Sequence, residues 1–275
     1  KRQLIGFAFK VALAPFHMWS PDVYQGAPTT ITGFLCTAPK AAGFGALLRV
    51  FMVAFPEIFS EWKDLFWVLA ALTMTVGNIS ALVQSNVKRM LAFSSVSHAG
   101  YLVMGVLVKD GAGISAILFY LVVYSAMNLG AFAIVSFVEK DEQEVTFRDY
   151  QGMASKYPFL SVAMALFMIS LTGIPPTAGF IGKFYIFYSA INAGPSFYWL
   201  VFAGAINSVI SLYYYVRVIK VMYLDGERQA SISTPSKLTT ALLVGTGLPT
   251  LIFGVYWTPI ANWVEGSVKF LFHTI

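Results

Sequence analysis

The sequence consists largely of long apolar segments, which is the feature that most restricts its fold. Hydrophobic residues make up 57% of the chain and charged residues 11%. A helix needs roughly 20 apolar residues to cross a bilayer, and its backbone polar groups must pair within the segment. Eight segments meet this condition: residues 3–19, 31–55, 64–84, 89–108, 112–138, 158–191, 197–223 and 238–262. The pattern predicts an all-α, polytopic transmembrane helical bundle.

The sixth segment contains two consecutive prolines, Pro175 and Pro176. Proline has no backbone N–H and its ring clashes with the preceding turn, so a helix cannot continue unbroken through this pair. At membrane depth such a break is tolerated only where the free carbonyls face protein or water. We therefore predict a discontinuous transmembrane helix near Pro175 and Pro176.

Three lysines, Lys10, Lys40 and Lys183, lie inside apolar segments rather than at their ends. An amine in hydrocarbon is costly and usually marks a functional site, and removal from water makes proton exchange easier. Pro15 follows Lys10 as a further candidate helix break, and Pro39 precedes Lys40. Each lysine could instead reach the headgroups or form a static ion pair. Three such lysines favour proton translocation, with all three as candidate relay residues.

Polar side chains also recur at helical spacing. His98 shares one face of the fourth segment with Ser94 and Tyr101. Two further stripes comprise Tyr120, Tyr124 and Asn128 in one segment and Asn207, Ser211 and Tyr215 in another. Such stripes can order water between titratable groups or merely hydrogen-bond neighbouring helices. His98 is the candidate relay residue, because imidazole exchanges protons near neutral pH. His17 ends the first segment among aromatic residues, where we expect a structural role beside Asp22.

Lysine and arginine are unevenly distributed between the two sides of the predicted bundle. Nine lie on one side and six on the other, which places the loops after segments three, five and seven in the cytoplasm. We interpret the net charge of +5 as a topological signal rather than a nucleic-acid surface. Cys36 is the single cysteine, and the sequence has no phosphate-binding loop and no HExxH motif. We expect no metal or cofactor site in this chain.

Four stretches resemble a known family. Residues 14–28, APFHMWSPDVYQGAP, closely resemble the signature of subunit N of bacterial respiratory complex I, the proton-translocating NADH:quinone oxidoreductase. Supporting stretches are APKAAGF at 38–44, NVKRMLAFSSVSHAGY at 86–101 and GIPPTAGFIGK at 173–183. The last two are shared more widely among antiporter-like subunits. The resemblance covers essentially the whole chain.

The resemblance implies an antiporter-like fold of inverted five-helix repeats. Residues 1–55 would hold the last two helices of the first repeat, 64–223 the second repeat, and 238–275 a C-terminal transmembrane helix and tail. It also implies roles for the candidate residues. Lys10 would be the channel lysine, Lys40 the connecting lysine and Lys183 the terminal lysine of the broken helix, with His98 on the central polar axis. The glutamate that partners Lys10 in the family has no counterpart here, and we expect it upstream.

The implied function is proton translocation by a multi-pass subunit in the inner (plasma) membrane of a bacterium. Its partners would be the bilayer and other membrane subunits of complex I, and NADH, FMN, iron–sulfur clusters and quinone would bind in partner subunits. Two alternatives remain open at the level of sequence. One is a subunit of an Mrp-type cation/proton antiporter, and the other is a structural subunit of a respiratory assembly that conducts nothing.

Overall fold

The computed structural model describes residues 2–57, 59–139, 146–226 and 235–273. These residues form α-helices joined by short connections. The helices are α1 (Arg2–Lys10), α2 (Trp19–Gly26), α3 (Thr29–Leu48), α4 (Phe59–Leu82), α5 (Val87–Val108), α6 (Gly111–Val138), α7 (Met153–Lys156), α8 (Pro158–Thr172), α9 (Ala178–Asn192), α10 (Tyr198–Leu224), α11 (Lys237–Val255) and α12 (Thr258–His273). A π-helical stretch, Arg49–Ala54, extends α3, and 3-10 turns occupy Phe147–Tyr150 and Pro195–Phe197.

The predicted all-α membrane bundle is confirmed. Within the described residues, six helical stretches are long and apolar enough to cross a bilayer. They are Thr29–Ala54, Glu61–Leu82, Val87–Val108, Gly111–Val138, Pro195–Leu224 and Lys237–Val255, and each overlaps a predicted segment.

Helix α5 lies at the centre of the bundle. All its residues except Arg89 are buried, so its polar side chains face other helices rather than lipid. Helix α4 packs closely against it, because glycines occupy the contact. A Cβ added at Gly100 would lie 2.8 Å from the backbone nitrogen of Met74, and one at Gly77 would lie 2.6 Å from that of Ser97. Small residues allow this close approach of membrane helices.

The predicted break near Pro175 and Pro176 is confirmed. Helix α8 ends at Thr172, and α9 begins at Ala178. Gly173 follows α8 with φ +88°, a left-handed conformation that glycine adopts without strain, and its N–H donates to Ile169 O at 3.1 Å. Each half-helix has 15 residues. Two short half-helices therefore share one crossing.

The first predicted segment, 3–19, is not a single helix, and its candidate break, Pro15, lies between two helices. Helix α1 ends at Lys10, and the chain resumes as α2 at Trp19, so Pro15 lies within a second break. His17 lies in this break and is 5% exposed, rather than at the end of a crossing. The aromatic residues around it resemble an interfacial belt in sequence, but they begin a half-helix whose first turn tolerates proline.

The chain also differs from prediction at its C-terminal end. The predicted segment 238–262 divides into α11, which ends at Val255, and α12, which begins at Thr258. Sequence analysis assigned the residues beyond 262 to a tail and predicted no helix there.

Lys88, which the charge pattern assigns to a solvated loop, is buried and 3% exposed. Its Nζ lies 3.0 Å from Glu139 Oε1 and donates to Ala27 O at 2.6 Å. The first turn of α5 lies beneath the turn between α2 and α3, which encloses the side chain. Lys1, Lys140 and Arg228, which also enter the charge count, lie outside the described residues.

The predicted orientation can be tested with cysteines at exposed positions on opposite ends of the α8–α9 crossing, Lys156 and Ser196. In a Cys36→Ala background, Lys156→Cys should react with an impermeant maleimide only from the cytoplasmic side. Ser196→Cys should react only from outside. Labelling of right-side-out and inverted vesicles measures both, and the reverse pattern contradicts the positive-inside assignment.

Candidate functional site

Lys40 lies on α3 in the interior of the bundle and is 3% exposed. Its ammonium donates to the carbonyl and hydroxyl oxygens of Ser95 on α5. The Nζ also lies 5.5 Å from the ring centroid of Tyr124 on α6. Helix α5 has no lipid face, so the sequence SSVSH places serine hydroxyls where α3 can present an amine to them. Carbonyl, hydroxyl and aromatic ring thus replace the hydration of the ammonium.

His98 occupies the middle of α5 and is 2% exposed. Its Nδ1 hydrogen-bonds the hydroxyl of Tyr120 on α6, and its Nε2 lies 3.1 Å from the hydroxyl of Tyr215 on α10. The Tyr215 hydroxyl also bonds the Ser94 hydroxyl. A neutral imidazole donates through one nitrogen and accepts through the other, while hydroxyls can do either. This arrangement can therefore reverse the direction of its hydrogen bonds without moving the rings.

Lys183 lies on α9 and is 4% exposed. Its Nζ donates to Thr172 O at 2.8 Å and to Ser208 Oγ at 3.0 Å. Thr172 is the last residue of α8, and in a continuous helix its carbonyl would accept from the N–H of residue 176. Pro176 has no N–H, so the carbonyl remains free for the lysine. The C-terminal end of a helix also carries partial negative charge, which favours a cation.

The two amines are joined by aromatic rings. The ring of Tyr124 beside Lys40 lies 5.1 Å from the ring of His98, centroid to centroid. The ring of Tyr101 lies 5.9 Å from His98 and 4.9 Å from the Nζ of Lys183. We call this set of five residues the polar axis. Its members are Lys40, Tyr124, His98, Tyr101 and Lys183.

Ion pairs are absent from the polar axis. Among the described residues, no carboxylate lies within salt-bridge distance of Lys40 or Lys183. Buried charges in proteins are usually paired, and removing one partner leaves the other uncompensated. An amine held only by carbonyl and hydroxyl dipoles can lose its proton without leaving an unpaired carboxylate. The geometry therefore suits groups that change protonation.

Lys10 is not part of the polar axis. It is the last residue of α1, and its side chain is exposed. A Cβ added at Gly43 would lie 3.5 Å from Lys10 Cγ, so the stem of the lysine passes beside α3. The structure thus brings together Lys40, His98 and Lys183 but leaves Lys10 apart.

A metal site is not evident in the part of the chain that the structure describes. No group of three or more histidine, cysteine, aspartate or glutamate side chains is close enough there to hold an ion. Cys36 is a free, buried thiol.

Comparison with known proteins assigns the fold to a family. The family described as NADH:quinone oxidoreductase/Mrp antiporter, transmembrane, matches residues 3–211. The chain belongs to this family.

Individual relatives show which members of the family this chain is similar to in sequence. NADH-quinone oxidoreductase subunit N 2 of Sorangium cellulosum is 48% identical over 276 aligned residues, which cover 98% of this chain and 54% of the relative. The chain therefore spans about half the length of the curated relatives it matches. The similarity to subunit N predicted from four stretches is thus confirmed. With six helices able to cross a membrane and bacterial relatives, the chain is a multi-pass plasma-membrane protein.

Solved structures give the same fold. A chain of respiratory complex I from Thermus thermophilus with bound aureothin matches with a TM-score of 0.82 and 37% identity, covering 94% of this chain and 57% of that one. A chain of the Mrp complex from Dietzia sp. matches with a TM-score of 0.87 at 19% identity, covering 97% and 57%. The second match shows the shared fold alone.

Sequence analysis of this family member missed the immediate partners of both buried amines. Ser95 follows the predicted residue Ser94, and Ser208 follows the predicted residue Asn207. Ser95 contacts Lys40 on α3, and Ser208 contacts Lys183 on α9. The stripe on α10 divides in function. Tyr215 contacts His98, whereas Asn207 bonds Asn78 and so joins α10 to α4. The adjacent serines Ser94 and Ser95 in an otherwise apolar helix could have indicated Ser95 as a polar contact.

Gly182 provides a test of how tightly Tyr120, the hydrogen-bond partner of His98, is held. A Cβ at this position would lie 2.5 Å from Tyr120 Cδ2, whereas one at Gly245 on α11 would meet nothing within 4 Å. Overpacking costs about 1–3 kcal/mol, so Gly182→Ala should lower the Tm of the detergent-solubilised chain. Gly245→Ala should keep or raise it, because alanine favours a helix by about 1 kcal/mol. Equal thermal stability of the two variants would mean that Tyr120 is free to move.

Proposed function

We propose that this chain moves protons across the plasma membrane as an antiporter-like subunit of an NADH:quinone oxidoreductase. The observation that carries the proposal is the polar axis, in which two buried amines flank His98 and have no carboxylate partner among the described residues. Similarity to relatives named subunit N supports the assignment to this type of complex.

In the proposed mechanism, Lys40 and Lys183 bind and release protons, and His98 passes charge between them. Each amine keeps its polar contacts in either protonation state, because hydroxyls can donate to a neutral amine and accept from an ammonium. A charge on one lysine disfavours a charge on the next where little water screens them. Proton arrival at one end therefore promotes proton release at the other.

The broken helix α8–α9 positions the last step. Thr172 O and Ser208 Oγ hold Lys183, and Ser208 Oγ itself donates to Thr172 O at 2.9 Å. The hydroxyl can therefore keep the carbonyl paired when Lys183 turns away. An amine that leaves its site without orphaning a carbonyl costs less free energy to move. Pro175 and Pro176 are proposed to act by preventing a backbone hydrogen bond to Thr172 O, which leaves this carbonyl available to Lys183.

A polar cavity at the start of α3, the helix that carries Lys40, is the proposed opening of the route. It has a volume of about 600 Å³ and is lined by charged groups that include Lys88, Glu139 and Asp22. Thr29 bonds Glu139 at its edge. Tyr24, which is 2% exposed, lies on α2 with Asp22 of the cavity lining, and its hydroxyl donates to Leu35 O on α3 at 3.1 Å. We propose that protons enter along this line of hydroxyls.

Lys10 is proposed to be a proton acceptor in a second channel. The proposed division of the chain places residues 1–55 in one repeat, 64–223 in the second and 238–275 after it. Two discontinuous helices, α1–α2 and α8–α9, then fall in different repeats, as in transporters built from inverted halves.

Redox chemistry is proposed to belong to partner subunits that bind NADH, FMN, iron–sulfur clusters and quinone. Other membrane subunits of complex I and the bilayer are the proposed partners of this chain. An Mrp-type antiporter subunit is the alternative within the same family, and a non-conducting structural subunit is another. The 48% identity to a protein named subunit N favours complex I over the Mrp alternative. The buried amines of the polar axis argue against a subunit that conducts nothing, because unused buried charges are costly.

Lysine substitutions test the relay in membranes that contain the assembled complex. Lys40→Ala and Lys183→Ala should each lower proton pumping by roughly a hundredfold, the lower end of the range for loss of a proton-transfer group. Arginine should not restore it, because guanidinium stays charged. Surface Lys156→Ala is the matched control. Pumping would be measured as quenching of a pH-sensitive dye, alongside NADH oxidation with an artificial acceptor, which should persist. Full pumping by Lys183→Arg excludes a protonation cycle there.

The proline pair tests the role of the break. In a Pro175→Ala/Pro176→Ala variant, residue 176 gains an N–H that can pair with Thr172 O, so Lys183 loses its carbonyl. The variant should assemble but pump as poorly as Lys183→Ala. Combining the changes should add little, because both remove one step. Pro249→Ala, which alters a proline within α11, serves as control. If the double variant pumps protons at the rate of the parent chain, the break is only a packing feature.

A further inference from the structure

A second cavity, of about 670 Å³, lies on the outer surface of α10 and away from the polar axis. Its described lining includes three cations, Arg148, Arg217 and Lys220, and one acidic residue, Asp225. Lys220 Nζ lies 3.6 Å from Asp225 Oδ1, with side chains 60% and 32% exposed. Exposed pairs of this kind contribute little free energy, so Lys220 can exchange Asp225 for another anion.

Arg217 is already held in place at this cavity. Its guanidinium stacks on the ring of Phe147, with Cζ 4.0 Å from the centroid, and Nη1 donates to Gln84 O at 3.1 Å. An arginine fixed in this way loses little conformational entropy when it binds a phosphate, and its planar fork matches phosphate oxygens.

Below the cations, the cavity wall is apolar. Val209, Leu212, Tyr213 and Val216 form one stripe along α10, and their exposed fractions are 69%, 37%, 66% and 42%. The helix rises roughly 16 Å from Val209 to Lys220, about half of the ~30 Å hydrocarbon core. The cavity thus combines positive charge at one end with an apolar wall as deep as one leaflet.

We infer that this cavity binds an anionic phospholipid, with its phosphate on Arg148, Arg217 and Lys220 and an acyl chain along the α10 stripe. Charge complementarity selects the headgroup, and the depth of the wall matches an acyl chain rather than a helix that crosses the whole bilayer. By the charge distribution, the site faces the cytoplasmic leaflet, where basic pockets between membrane helices bind such headgroups. The inference does not depend on the proposed proton route.

The test measures lipid binding to the delipidated full chain by native mass spectrometry. Phosphatidylglycerol and phosphatidylcholine with the same acyl chains are added at equal concentration. Each lysine or arginine near an anionic lipid contributes about 1 kcal/mol, so phosphatidylglycerol should bind at least about fivefold more tightly. Arg148→Ala/Lys220→Ala should reduce this preference, because only Arg217 of the three cations remains, and Arg148→Lys/Lys220→Arg should keep it. Lys156→Ala/Lys237→Ala, which removes two exposed cations outside the cavity, is the matched control.

Two further experiments ask whether the bound anion is a phospholipid or free phosphate, and whether lipid or another polypeptide covers the apolar wall. Excess sodium phosphate should not displace phosphatidylglycerol. Val209→Ser/Val216→Ser should weaken lipid binding. The control Val162→Ser/Val244→Ser, at exposed valines of α8 and α11, should leave lipid binding unchanged. Complete displacement by phosphate overturns the inference in favour of a simple anion site. In membranes with the assembled complex, a photoreactive benzoylphenylalanine at Tyr213 should crosslink to lipid. A crosslink to a second polypeptide overturns the inference, as does equal binding of both lipids by the parent chain.

Discussion

A backbone carbonyl without a partner is unstable at membrane depth, and every proline inside a helix creates one four residues earlier. Pro176 frees Thr172 O, which Lys183 takes, and Pro39 frees Leu35 O, which the Tyr24 hydroxyl takes at 3.1 Å. In both cases a side chain from another helix supplies the missing donor. The prolines therefore decide where polar side chains must enter the bundle, and the polar axis forms between those points.

The burial of α5 converts these local pairings into one connected set of groups. A helix with no lipid face can carry serines and a histidine at membrane depth without exposing them to hydrocarbon. His98 then lies in ring contact with Tyr101 of α5 and Tyr124 of α6. Tyr101 lies beside Lys183, and Tyr124 lies beside Lys40. Low local dielectric makes charges at the two lysines sensitive to one another, which a solvated surface would not allow.

Helix α10 shows how one helix serves two environments. Its inner face contributes Ser208 and Tyr215 to the site, while its outer face presents Val209, Tyr213 and Val216 to lipid. The cations near its C-terminal end, Arg217 and Lys220, mark the membrane surface. The helical period places these groups on separate faces, so substitutions on one face can leave the other unchanged.

The sequence by itself determined the helical membrane class, six continuous crossings, the break at Pro175 and Pro176, and the candidates Lys40, His98 and Lys183. Apolar length and the chemistry of proline act locally and can be read from neighbouring residues. Tertiary structure alone decided that Ser95 and Ser208 hold the amines, that Lys88 is buried, and that Lys10 is exposed. These outcomes depend on which helix lies opposite, and residues far apart in the chain supply that partner.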